Sequence, residues 1–190
     1  MKYQSLVALA LTTISIQATP NYVAPPPPPG PRAGSSDPCS VIIGIANEYS
    51  SSNSAQDALD IHNRIRSYVN SIKGTNLAKL SWSSDLENQA SSDAVYSVSQ
   101  SSCQNGGLVH NPDFGAARAK SLGFTDIVSA IKTFISYDND GGGSECSKYF
   151  NNGITMSHFG FIVGEYTQLG CTLADCPDGQ FGGVVGCDYA

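Results

Sequence analysis

Residues 156–171 read MSHFGFIVGEYTQLGC, and the folding of that stretch decides where one of only three histidines sits. Phe159, Phe161 and Val163 alternate with His158, Gly160 and Ile162, a spacing that predicts a β-strand. A second strand is predicted in FGGVVGCDY, residues 181–189, after the CPDGQ turn at 176–180. Between these strands and the start of the chain the period changes. Ala58, Ile61, Ile65 and Val69 recur at three- and four-residue steps, so SAQDALDIHNRIRSYVNS, residues 54–71, reads as a helix with one apolar face.

A second helix is expected in SSDLENQASSDAVYSV, residues 83–98, where Ser84 and Glu87 stand three apart as a capping box and Leu86, Ala90 and Ala94 form a stripe. A third lies in TDIVSAIKTFIS, residues 125–136, with Thr125 or Asp126 as N-cap and Ile127, Ala130, Ile131 and Phe134 on one side. YDNDGGGSECSKYFNNG, residues 137–153, is loop by composition. CSVIIGIANEY, residues 39–49, fits a strand or a short buried helix equally, because periodicity does not separate the two in so short a run. Helices first and strands late indicate an α+β domain with a mostly antiparallel sheet.

The 190 residues, 41% of them hydrophobic, supply one domain of ordinary size plus tails. Residues 1–18, MKYQSLVALALTTISIQA, place Lys2 before an apolar run and end on a small residue, as a cleaved signal peptide does. The run is short of the ~20 apolar residues a bilayer helix needs. Residues 19–38 contain five consecutive prolines, Pro25 to Pro29, and read as an extended polyproline spacer ahead of a domain at 39–190. The expected location is extracellular. A formal charge of −6, with no basic patch, disfavours nucleic acid as a partner.

Six cysteines, Cys39, Cys103, Cys146, Cys171, Cys176 and Cys187, fit three disulfides in an oxidising compartment; they allow fifteen connectivities and contain no Cys-x-x-Cys zinc motif. Ser144 lacks the setting of a nucleophile elbow, and neither Glu145 nor Glu165 has a partner in the sequence for paired-carboxylate chemistry. The expectation is a protein that is not an enzyme.

Three segments together resemble the CAP superfamily of cysteine-rich secretory, antigen 5 and pathogenesis-related proteins. ALDIHNRIRSYVNSIKGTNLAKLSWSSDLENQASSDAVYS, residues 58–97, is similar to its His-Asn-x-x-Arg helix, Leu-x-Trp and Ala-rich second helix. CQNGGLVHNPDFGAARA, residues 103–119, is similar to its cysteine, histidine and aromatic-Gly segment. SHFGFIVGEYTQLGCTLADC, residues 157–176, with VVGCDY at 184–189, resembles its histidine strand and closing strands. The resemblance implies a three-layer α-β-α sandwich, with His62, Asn63 and Arg66 as structural polar residues and Trp82 as core packing.

The resemblance also implies a cleft of two histidines and two acids able to hold a divalent metal. The histidines fall on His110 and His158, but the acidic positions fall on Ala116 and near Tyr137. Alanine offers no ligand, and a phenol of pKa ~10 is a poor one at neutral pH. A zinc site would need Asp113 or Asp138 to substitute, so no cofactor is expected, with zinc on His110, His158 and Asp113 as the alternative. What the family resemblance leaves is binding, in a groove near YDNDGGGSECSKYFNNGITM, residues 137–156, lined by Tyr137, Tyr149, Phe150, Ile154 and Met156 beside the two histidines.

The function implied is that of a secreted, monomeric, non-enzymatic CAP protein of the defence or virulence kind. Its partner would be a sterol- or lipid-like molecule, or a protein or cell-wall component outside the cell. A metal-dependent module and a secreted hydrolase are the alternatives. The pairing expected is Cys103 with Cys146, Cys171 with Cys187 and Cys39 with Cys176.

Overall fold

A computed structural model of the protein describes residues 37–101, 117–138, 141–153, 157–175 and 182–190. The chain opens on helix α1, Pro38–Asn47, where the Asp37 carboxylate accepts the N–H groups of Cys39 and Ser40 and Pro38 occupies a position that has no need of an N–H. The ambiguous run at 39–49 is thus a helix. Its Ile42, Ile45 and Ala46 are buried at three- and four-residue steps.

Helix α2, Ala55–Lys73, is capped by Ser54 and ended by Gly74, which takes the left-handed conformation at φ 66° that other residues resist. The predicted stripe of Ala58, Ile61, Ile65 and Val69 is wholly buried. Strand β1, Ser81–Trp82, leads into helix α3, Ser84–Ser101. The cap of α3 falls one residue before the predicted one, since the Ser83 hydroxyl accepts the Leu86 N–H. Glu87 does not close a capping box and instead accepts the indole N–H of Trp82 at 2.9 Å. Trp82 is therefore half-buried and polar-anchored, where core packing alone was expected.

Strand β2, Ala117–Phe124, precedes helix α4, Ile127–Ser136, with Asp126 as N-cap. The segment read as loop contains helix α5, Glu145–Asn152, capped by Ser144 and ended by a left-handed Gly153. The predicted strand at 157–163 is helix α6, His158–Ile162, whose first turn is capped by the Ser157 hydroxyl on the Gly160 N–H. Residues 158–163 are all buried. Period-two alternation reports a strand only when one face meets water, and here no face does.

Strands β3, Gln168–Asp175, and β4, Gly183–Tyr189, complete one sheet of order β1-β3-β4-β2. The pairs β3/β4 and β2/β4 are antiparallel, but β1 pairs with β3 in parallel, so the sheet is mixed. Leu169 and Cys171 share one face with Tyr189, Cys187 and Val185, and all five join the main core with α1, α2, α4, α5 and α6. Gly170 and Gly186 lie on the opposite face, beneath α3. A Cβ at Gly170 would collide with the backbone of Leu86 and Glu87, so glycine there is what lets the helix settle on the sheet.

Two disulfides staple the described residues. Cys171 and Cys187 bridge opposed positions of β3 and β4, the pairing expected. Cys146 is joined to Cys39, not to Cys103, which corrects two of the expected pairs at once. The cause is α5, which forms inside the supposed loop and brings its first turn against that of α1, with Cα atoms 5.8 Å apart. Cys103 and Cys176 lie outside the described residues.

Candidate functional site

The polar residues of α2 organise the molecule around it. Asn63 receives the N–H of Leu80 and donates to its carbonyl, and Asn70 does the same for Leu77. Between them Arg66 donates through Nε to the carbonyl of Ala78 at 2.7 Å. Residues 63, 66 and 70 occupy one helical face, so the segment 77–80 is bound to it along its length. The rest of the Arg66 guanidinium turns the other way, to the carbonyls of Ile162, Gly164 and Tyr166 at 2.8–2.9 Å. One cation thereby ties the chain after α2 to the chain after α6. Such a fork suits arginine and no other side chain.

His62, next to Asn63, is wholly buried; its Nδ1–H donates to the Ala58 carbonyl at 2.7 Å and its Nε2 accepts the Tyr189 hydroxyl at 2.9 Å. Burial lowers its pKa to about 4, and the nearby Arg66 charge acts in the same direction. Burial likewise raises the Tyr189 phenol, which keeps its proton and remains a donor. His62 is a neutral structural ring.

His158 begins α6 and is fully buried, stacked on Phe134 with ring centroids 5.1 Å apart and edge-on to half-buried Tyr137 at 6.4 Å. Its Nδ1 donates to Oε1 of Glu145 at 2.9 Å, and the other oxygen of that carboxylate accepts the Phe159 N–H at 2.9 Å. Sequence reading left Glu145 without a partner; the fold gives it one, across thirteen residues. The signal for helix α5, though not for that pairing, was present in Ser144 followed by Glu145 and, eight residues later, by Gly153, an N-cap, a first-turn acid and a C-terminal glycine.

Of the other expected site residues, Tyr149 is buried and packs edge-on to half-buried Phe150, with the Lys73 ammonium 4.4 Å above the Tyr149 ring. Asp138 accepts the N–H groups of Gly141 and Gly143 and lies 3.5 Å from Lys148, so it braces its own turn. Ser144 spends its hydroxyl as an N-cap. His110, Asp113, Ile154 and Met156 lie outside the described residues. Among the described residues no three of His, Cys, Asp and Glu converge in a way that could hold a metal ion, and both Glu145 oxygens are already engaged.

A concavity lies elsewhere among the described residues. Two adjoining hollows of about 410 and 400 Å³ share Thr75, Leu77, Glu165 and Tyr166. One runs on along Ala78 and Thr167, the other along Val163 and Gly164 to Tyr149. Their walls are the two chain segments that Arg66 ties together, so the arginine sets the width of the groove. Gly164 admits the ring of Tyr166, which a Cβ there would strike. Among the described residues of the expected lining, only Tyr149 faces this groove. Leu77, Val163 and Tyr166 were missed because they belong to loops whose approach depends on Arg66.

A disulfide-stapled α+β domain with a mixed sheet, helices on it and a buried histidine–carboxylate pair is the class these observations define. The chain belongs to the CAP, or cysteine-rich secretory protein, family, whose model matches residues 59–189. Among solved structures it is similar to BmVAL-1, at 19% identity and a TM-score of 0.48 over 71% of this chain and 75% of that one. It is also similar to a hookworm platelet inhibitor, at 12% identity and a TM-score of 0.41 over 84% and 72%. No curated protein matches it. No helix among the described residues is long and apolar enough to cross a membrane.

Proposed function

We propose that this is a secreted, non-enzymatic CAP protein, with a leader at 1–18, a spacer at 19–38 and an α-β-α domain beyond, that binds an apolar small molecule of sterol or lipid type. The observation that carries the reading is the groove between residues 75–78 and 163–167. Leu77, Val163, Tyr149 and Tyr166 give it apolar walls, while Thr75, Asn76, Glu165, Thr167 and the backbone supply the polar groups that orient a ligand. The groove stands beside the expected 137–156 region and shares Tyr149 with it.

A fluorescent sterol or fatty acid titrated into the purified protein should saturate at micromolar concentration, and Leu77→Ser should weaken it about tenfold by removing a buried apolar contact. A Leu77→Ser variant that melts like the native chain and binds equally well would refute the groove as the site.

The metal-dependent alternative would draw on His110, His158 and Asp113. Glu145 is not among its ligands, because its two oxygens are committed to the His158 imidazole N–H and the Phe159 N–H and orient the ring. Metal analysis after mild dialysis should find no stoichiometric zinc, and a His110→Ala/His158→Ala double variant should contain no less than the native chain.

A further inference from the structure

A second cleft, of about 410 Å³, shares no lining residue with the groove. It is lined by Trp82 and Glu87 on one side, Thr172 and Asp175 of β3 on another, and Asn53 and Thr125 on a third. Its volume falls in the range of roughly 300–1,000 Å³ typical of small-molecule sites.

The third wall is rigid. Asn53 precedes α2 and Thr125 precedes α4, and the two helix starts are bonded to each other: Ser52 N–H to the Asp126 carboxylate, Ile127 N–H to the Asn53 side-chain oxygen, and Val128 N–H to the Ser52 carbonyl. The Asn53 oxygen is thereby occupied, and its amide nitrogen is the donor it can offer. Opposite, the bond from the Trp82 indole to Glu87 fixes the plane of the half-buried ring.

The cleft therefore presents one immobilised aromatic surface together with carboxylate acceptors at Glu87 and Asp175, neutral donors at Asn53 and Thr172, and the Thr125 hydroxyl oxygen, whose proton goes to Asp126, as a neutral acceptor. The partial positive charge of the two helix starts, about half a unit each and at α4 already met by the Asp126 carboxylate, offsets only part of the two carboxylates, so an anionic ligand is not what the wall accepts. A ring carrying several hydroxyls, apolar on its C–H face and both donor and acceptor at its rim, matches that distribution. We infer that the cleft formed by Trp82, Glu87, Asn53, Thr125, Thr172 and Asp175 is a saccharide-binding site, independent of the apolar groove.

Trp82 is the only tryptophan in the chain, so its emission reports this site alone. The full chain is titrated with disaccharides of glucose, mannose and N-acetylglucosamine, with choline as a cationic control. At least one disaccharide should shift the emission saturably, with affinity on the order of millimolar. Asp175→Ala, at an exposed position, should weaken that binding about tenfold while leaving the melting temperature unchanged. Trp82→Phe, followed by saturation-transfer NMR on the sugar, checks the platform without the reporter.

The inference is overturned if no disaccharide shifts the emission, if choline binds and the sugars do not, or if sugar binding persists undiminished in both variants. A lipid titration run alongside keeps this result separate from that of the groove.

Discussion

His62 couples the fold to pH through a single proton. Its ring is neutral in the folded chain, with a pKa near 4, against ~6.5 when exposed. Between those values the unfolded chain binds a proton that the folded one does not, so stability rises with pH across that window and levels off above it. Urea unfolding should show a loss of about 3 kcal/mol from this ring as pH falls from 7 to 4, and His62→Gln should flatten that slope. Arg66 is the more costly residue to lose. Removing it strands four carbonyls, those of Ala78, Ile162, Gly164 and Tyr166, and Arg66→Ala should cost about 4 kcal/mol. Arg66→Lys should recover little, since an ammonium cannot reach both chain segments at once. These structural roles were legible from His-Asn-x-x-Arg. The role of Glu145 was not, because a contact between the first turns of two short helices leaves no spacing to read.

At the scale of elements, the sequence betrayed what had an exposed face and concealed what did not. Helix α2 announced itself because its buried stripe of Ala58, Ile61, Ile65 and Val69 is apolar at helical spacing, while Gln56, Ser67, Ser71 and Lys73 on other sides meet water. The run at 157–163 imitated a strand because every residue in it is buried, and the Ser157 cap was the only local sign of a helix. Helix α5 hid in a glycine- and serine-rich setting, and missing it misassigned the cysteines. The Cys39–Cys146 bridge closes a loop of 107 residues, so a Cys39→Ser/Cys146→Ser chain should lose about 4 kcal/mol in chemical denaturation. With Cys39, Cys146, Cys171 and Cys187 committed, full oxidation leaves Cys103 only Cys176, and a non-reducing peptide map should recover that pair. Helix α3 depends on close approach to the sheet. Gly170→Ala should push it off and cost about 3 kcal/mol, seen as a lower unfolding midpoint.

For the whole molecule, family membership was legible in the order of three conserved-looking segments, and the broad α+β class in the change of period along the chain. The mixed character of the sheet was not, since β1 is two residues long and its parallel partner lies 87 positions away, Ser81 against Gln168. The groove was partly legible through Tyr149, its other walls being backbone loops whose meeting no local pattern encodes. Strand β4 lies inside the sheet, between β3 and β2, although it is the last element described. A ribosome must therefore extrude Tyr189 before β2 and β3 acquire their common neighbour and before Cys171 can find its mate. Until β4 is made, β2 has no neighbour in the described sheet and β3 has only the two residues of β1, so any chaperone or oxidase attending the chain has that interval to cover.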